Sequence, residues 1–78
     1  MIKIKNKPLC KSLGIHIRML RKQVLKSQEQ LANDADVPLS QIGRIERGEI
    51  NPTLSTLYVI SKALNTDLKR LMDFTIEE

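Results

Sequence analysis

The sequence predicts an all-α domain of five short helices. Three observations carry that prediction. Hydrophobic residues make up 41% of the chain but aromatic residues only 3%, which suits aliphatic helix packing better than a sheet built on β-branched and aromatic side chains. Apolar residues recur at spacings of three and four along several segments. Between those segments stand residues that start and stop helices. At 78 residues the chain makes one domain, near the small end of what folds without disulfides or metals.

Pro8 is expected to end anything regular before it, with a first helix starting between Leu9 and Ser12 and running to about Leu25. Leu13, Ile17, Leu20 and Val24 form its apolar face, and Arg18, Arg21, Lys22 and Lys26 fall elsewhere around it. Ser27 opens a second helix: "SQEQL" is a capping box, in which the Ser27 hydroxyl accepts from the Gln30 amide and the Gln30 side chain reaches back. Losing that cap should cost about 1 kcal/mol. Leu31, Ala32 and Ala35 make a small-residue stripe, and Asp36 tolerates the left-handed conformation that ends the helix.

The third helix is "LSQIGRIERG", with Pro38 near its first turn, Val37, Ile42 and Ile45 buried, and Gly48 as its left-handed stop. Thr53 caps a fourth helix carrying Leu54, Leu57, Ile60 and Leu64, which Asn65 ends. Asp67 caps a short fifth with Leu68, Leu71 and Met72. The expected organisation is a basic extension at 1–10, the helical domain at 11–74 and a tail at 75–78. Leu71, Met72, Phe74 and Ile76 exceed what so short a fifth helix must bury, and are assigned to a homodimer contact.

Charge is distributed unevenly. The chain carries eight Lys or Arg and no acid through Lys26, then five basic and nine acidic residues from Ser27 onward. Such asymmetry points to an acidic partner, nucleic acid before anionic membrane, with a solvated basic face as the plain alternative. The longest apolar run, Leu57 to Ile60, falls far short of the roughly 20 residues of a membrane span. No apolar stretch comes after "MIKIKNK" as a signal peptide requires. Cys10 is alone, which excludes an internal disulfide and suits a cytoplasmic protein. His16 has no second His or carboxylate at metal-ligand spacing, and no nucleophile–base pair or phosphate-cradling glycine loop is present. Neither an enzyme, a metal nor a cofactor is expected.

The second and third helices, joined across Asp36 to Leu39, have the spacing of a helix-turn-helix, although a simple helical hairpin gives the same apolar pattern. Five pieces in order make the resemblance specific: "LR" at 20–21, "SQEQLA" at 27–32, "IGRIERG" at 42–48, "NPTLSTL" at 51–57 and "SKAL" at 61–64. From about Leu13 to Met72 the chain resembles the Cro and phage-repressor type (XRE-like) helix-turn-helix DNA-binding family. The resemblance implies a lambda-repressor-like domain whose third helix reads double-stranded DNA, usually as a homodimer. It places Leu39, Ser40, Gly43 and Arg44 against base edges, Arg44 being suited to bidentate recognition of guanine. It places Ser27, Gln28, Arg47 and Asn51 on backbone phosphates. It makes Arg21 and Glu46 a partly buried ion pair between the first and third helices.

The sequence also departs from the family pattern. Leu39 and Gly43 stand where polar readers are commoner, "GEIN" is less basic than usual, and "VLKS" lacks the glycine usual between the first two helices. The implied function is a transcriptional repressor acting on a pseudo-palindromic operator. The weak readers at positions 39 and 43 motivate a second reading, an antitoxin or other interaction module that binds a protein partner such as a toxin and autoregulates its operon. The alternation "IKIK" at Ile2 to Lys5 is read as a frayed end, with a strand across a dimer or a basic arm reaching DNA as the other readings.

Overall fold

The computed structural model describes residues 5–77, in which five helices run in order: α1 (Lys7–Gln23), α2 (Gln28–Ala35), α3 (Leu39–Glu46), α4 (Leu54–Ala63) and α5 (Leu68–Leu71). Among the described residues there is no strand. One aliphatic core joins them, built from Leu13, Ile17 and Leu20 of α1, Leu31 of α2, Ile42 and Ile45 of α3, Leu57 and Ile60 of α4, and Leu71 of α5. Helix α3 packs on α1 and α2, and α4 packs on α2 and α5.

Helix α1 starts earlier than Pro8 suggests. The Asn6 side chain accepts from the Leu9 amide at 3.0 Å, and Pro8 lies in the first turn, where its missing N–H is harmless. The boundary expected between positions 10 and 11 therefore falls inside a continuous helix. Its C-terminal end comes at Gln23 rather than Leu25.

Four helices end in the same way. After α1, the Lys26 amide donates to the Arg21 carbonyl at 3.2 Å and the Leu25 amide to that of Lys22 at 3.0 Å, the paired bonds of a Schellman motif. The same pairs close α2 around Asp36, α3 around Gly48 and α4 around Asn65. Each of those residues has positive φ, including Leu25 at 59°. That conformation is how "VLKS" closes without a glycine, with the Leu25 side chain left 88% exposed.

Two close approaches fix α3 against α1. A Cβ on Gly14 would lie 2.4 Å from the Ile45 carbonyl oxygen and 2.6 Å from that of Glu46, so only a glycine lets α1 meet the last turn of α3. Gly48, at φ 73°, approaches Lys11 so nearly that a Cβ would be 2.7 Å from its Cα.

The dimer assignment needs one correction. Leu71 is fully buried in the core and has no surface to offer a second chain. Phe74 is half-buried, packed against the core, with its ring 5.5 Å from that of His16. The His16 Nε2 is hydrogen-bonded to the Arg70 carbonyl at 2.9 Å, and the Glu77 amide donates to Ser12 Oγ at 3.1 Å. These contacts hold the tail along α1. Met72 and Ile76 remain exposed.

Candidate nucleic-acid interface

The site is assembled from the N-terminus of α2, the exposed side of α3 and the loop after it. The start of α2 is fixed by its capping box: Ser27 Oγ accepts from the Gln30 amide at 3.0 Å, and Gln30 Oε1 accepts from the Ser27 amide at 2.7 Å. Ser27 itself is exposed.

A buried polar network ties α1, α2 and α3 together. Arg21 donates through Nε to Glu46 Oε2 at 2.7 Å and through Nη2 to Oε1 at 3.0 Å, with both side chains almost wholly buried. The remaining guanidinium nitrogen, Nη1, donates to the Lys26 carbonyl at 2.9 Å, so the fork is satisfied on three sides. Gln28 joins from α2, its Nε2 donating to Glu46 Oε1 at 3.0 Å. One carboxylate thus sets the position of α3 and of the side chain at the head of α2. Among the described residues no side-chain polar atom is left buried without a partner.

The open side of α3 carries Leu39, 44% exposed, then Ser40 and Arg44, whose side chain is 56% exposed. Gly43 belongs to this row by register. It is buried in the DNA-free protein, with Arg47 Nη1 3.0 Å from where its Cβ would be and Gln28 Oε1 at 3.8 Å. Its smallness lets Arg47 fold back along the helix. Arg47 and Asn51 are both exposed on the side of the domain just beyond α3.

Two residues here carry no distinct sequence motif. Glu49 accepts from Arg47 Nε at 2.6 Å and from its Nη2 at 3.4 Å, and lies 4.0 Å from Arg44 Nε. Lys5 Nζ donates to the Glu49 carbonyl at 2.7 Å. Residues Ile2 to Ile4 of the "IKIK" alternation lie outside the described residues. The hydrogen bond to Glu49, reinforced by its charge, raises the Arg47 guanidinium above its ordinary value. The same bond holds the Glu49 carboxyl below the usual carboxylate range; partial desolvation opposes this, and the charges of Arg47, Arg44 and Lys5 assist it. Glu49 is therefore ionised at neutral pH. Its one signal in the sequence is the lower basicity of "GEIN", and Gly14 shows there only as a small residue inside an apolar stripe.

A helix-turn-helix family model matches residues 17–71, most of the described domain. The chain belongs to the helix-turn-helix family. It is a DNA-binding transcriptional regulator. This helix-turn-helix protein is 43% identical over 60 residues to the control protein C.SmaI of Serratia marcescens, covering 77% of the present chain and 71% of that protein. It is 34% identical over 61 residues to the immunity repressor protein of Bacillus phage phi105, covering 78% of this chain and 42% of the repressor. Among solved structures, the restriction-modification controller protein C.AhdI from Aeromonas hydrophila superposes with a TM-score of 0.76 at 33% identity, over 81% of this chain and 94% of that one. Among the described residues no helix is long and apolar enough to cross a membrane.

Proposed function

We propose that the regulator works in the cytoplasm as a homodimer that binds a pseudo-palindromic operator and represses transcription from it. It acts by binding and not by catalysis. The observation that carries the reading is the pairing of an open row, Leu39, Ser40 and Arg44, with a rigid support beneath it, the Arg21–Glu46–Gln28 network. A recognition helix must be held to within a fraction of an ångström for a guanidinium to meet guanine with two hydrogen bonds, and that support does so from two neighbouring helices.

In this docking, Arg44 reads a guanine, Leu39 offers apolar contact to a thymine methyl, and Ser40 supplies a polar contact. Ser27, Gln28, Arg47 and Asn51 lie on phosphates, and two α3 helices enter successive major grooves about 34 Å apart. Met72 and Ile76, each 43% exposed, are proposed to contribute to the dimer contact, with Phe74 supporting them from beneath. The similarity to controller and repressor proteins favours operator binding over a module partnered with a toxin.

The test is selection from a randomised duplex library at two salt concentrations. Wild-type protein should enrich a two-fold-symmetric site. Arg44→Ala should relax one position of each half-site at a cost of about 1–3 kcal/mol, whereas Gln28→Ala should weaken all sequences alike. If Arg44→Ala changed neither affinity nor preference, the docking would be wrong.

A further inference from the structure

We propose that Arg47 and Lys5, beside the base-reading Arg44, form a binding site for a phosphodiester of the duplex backbone, and that in the DNA-free protein the carboxylate of Glu49 occupies this site. The inference rests on the DNA-binding reading but concerns residues which that reading leaves unassigned, Glu49 and Lys5.

The geometry is that of an anion already bound. Both oxygens of Glu49 face the Arg47 fork, at 2.6 Å and 3.4 Å, and Arg44 approaches one of them at 4.0 Å. A guanidinium takes up a phosphate in the same two-pronged manner. The backbone holds Glu49 in place: its amide donates to the Arg44 carbonyl at 2.9 Å in the turn that ends α3, and Lys5 grips its carbonyl. Net positive charge continues beyond the pair, since a shallow depression beside Gly48 is lined by Lys5, Lys7, Lys11 and Arg47 against one carboxylate, Glu77.

The fold does not depend on this ion pair. The side chains of Arg44, Arg47 and Glu49 are 56%, 59% and 47% exposed, and pairs so exposed contribute little to stability. Exchange of the carboxylate for a phosphate therefore disturbs nothing beneath it. It does reduce affinity, because two cations directed at DNA are partly neutralised beforehand and the displaced carboxylate stays close to the phosphate that replaces it. Glu49 is then an internal competitor that keeps binding to DNA in general weak.

The experiment measures binding of the full chain to a random-sequence 20-base-pair duplex across a salt series, for wild type, Glu49→Gln, Arg47→Gln and the double variant. Glu49→Gln should bind about threefold to tenfold more tightly at low salt, with a slope of log affinity against log salt steeper by about one ion. Arg47→Gln should cost more in the Glu49→Gln background than in wild type, since only there is the guanidinium free for phosphate. Unchanged or weaker binding by Glu49→Gln would overturn the proposal. So would strictly additive effects of the two substitutions, which would reduce Glu49 to one more surface charge. Because the probe has no operator in it, the outcome is separable from the functional reading. Failure of wild type to select an operator would sink that reading alone, while an inert Glu49→Gln beside a selected operator would sink this one alone.

Discussion

Replacing Glu46 with alanine should come close to unfolding the domain. Glu46 is 7% exposed and accepts hydrogen bonds from Arg21 Nε, Arg21 Nη2 and Gln28 Nε2. Removing it leaves the Arg21 guanidinium buried, with the Lys26 carbonyl as its remaining hydrogen-bond partner among the described residues. Breaking a buried pair from one side costs about 3–5 kcal/mol, whereas a domain of this size has a total stability of roughly 4–12 kcal/mol. With a melting shift of about 4–8 °C per kcal/mol, Glu46→Ala should lower Tm by at least about 12 °C, read by circular dichroism at 222 nm. Arg21→Met combined with Glu46→Leu removes both charges and keeps their volume. That double variant should recover most of the loss, because apolar replacement of a whole buried pair is often neutral. Its DNA binding should nonetheless stay impaired, since Gln28 would have lost the carboxylate that positions it. A loss below about 1 kcal/mol for Glu46→Ala, the value of an exposed pair, would mean that Arg21 finds water or another partner once the carboxylate is gone.

Backbone geometry governs the outcome of three further substitutions. Gly14→Ala should destabilise by about 1–3 kcal/mol despite the better helix propensity of alanine, because the obstructing atoms are backbone carbonyls of α3 that cannot rotate away. A melt that matched or exceeded wild type would show that α1 and α3 part at little cost. Leu25→Gly should raise stability by up to about 1 kcal/mol, relieving a left-handed leucine whose side chain is almost entirely in water. Leu25→Val should lower it in the same melting assay, and the opposite order would mean that φ at this position is not the governing term.

The fold is legible in the sequence wherever chemistry is local. Ser27 with Gln30, Thr53 and Asp67 announce helix starts because a short polar side chain reaches an amide three residues on, and each is found doing so. Asp36, Gly48 and Asn65 announce helix ends because they tolerate positive φ. Leu25 has no such property. There the turn is imposed by the next helix: α2 must start at Ser27 with its stripe of Leu31, Ala32 and Ala35 turned into the core, and burial of that stripe outweighs one strained residue. Pro8 misleads for a related reason. It reads as a stop, yet with Asn6 before it as a cap it becomes a start. Leu71 reads as an outward residue because an excess of apolar residues says nothing about which of them face inward, and the four-residue α5 turns Leu71 in and leaves Met72 out.

The site is less legible because its relations are long-range or depend on exposure. Arg21 and Glu46 lie 25 residues apart, and no spacing rule joins them; only resemblance to a family suggests the pair. Gly43 falls on the open row by helical register alone, and register cannot show that Arg47 folds over it. The structure adds that Arg21 and Gln28 share a single carboxylate. Glu46 anchors α3 to α1 through Arg21 and orients Gln28 at the head of α2, so α3 and that side chain take their positions from the same atoms. A substitution that loosens this carboxylate should therefore damage stability and DNA binding together. One at Glu49, which lies on the surface of the same face, should change DNA binding and leave the fold intact. The contrast between those two glutamates, three residues apart, separates what builds the proposed reading surface from what is proposed to modulate its charge.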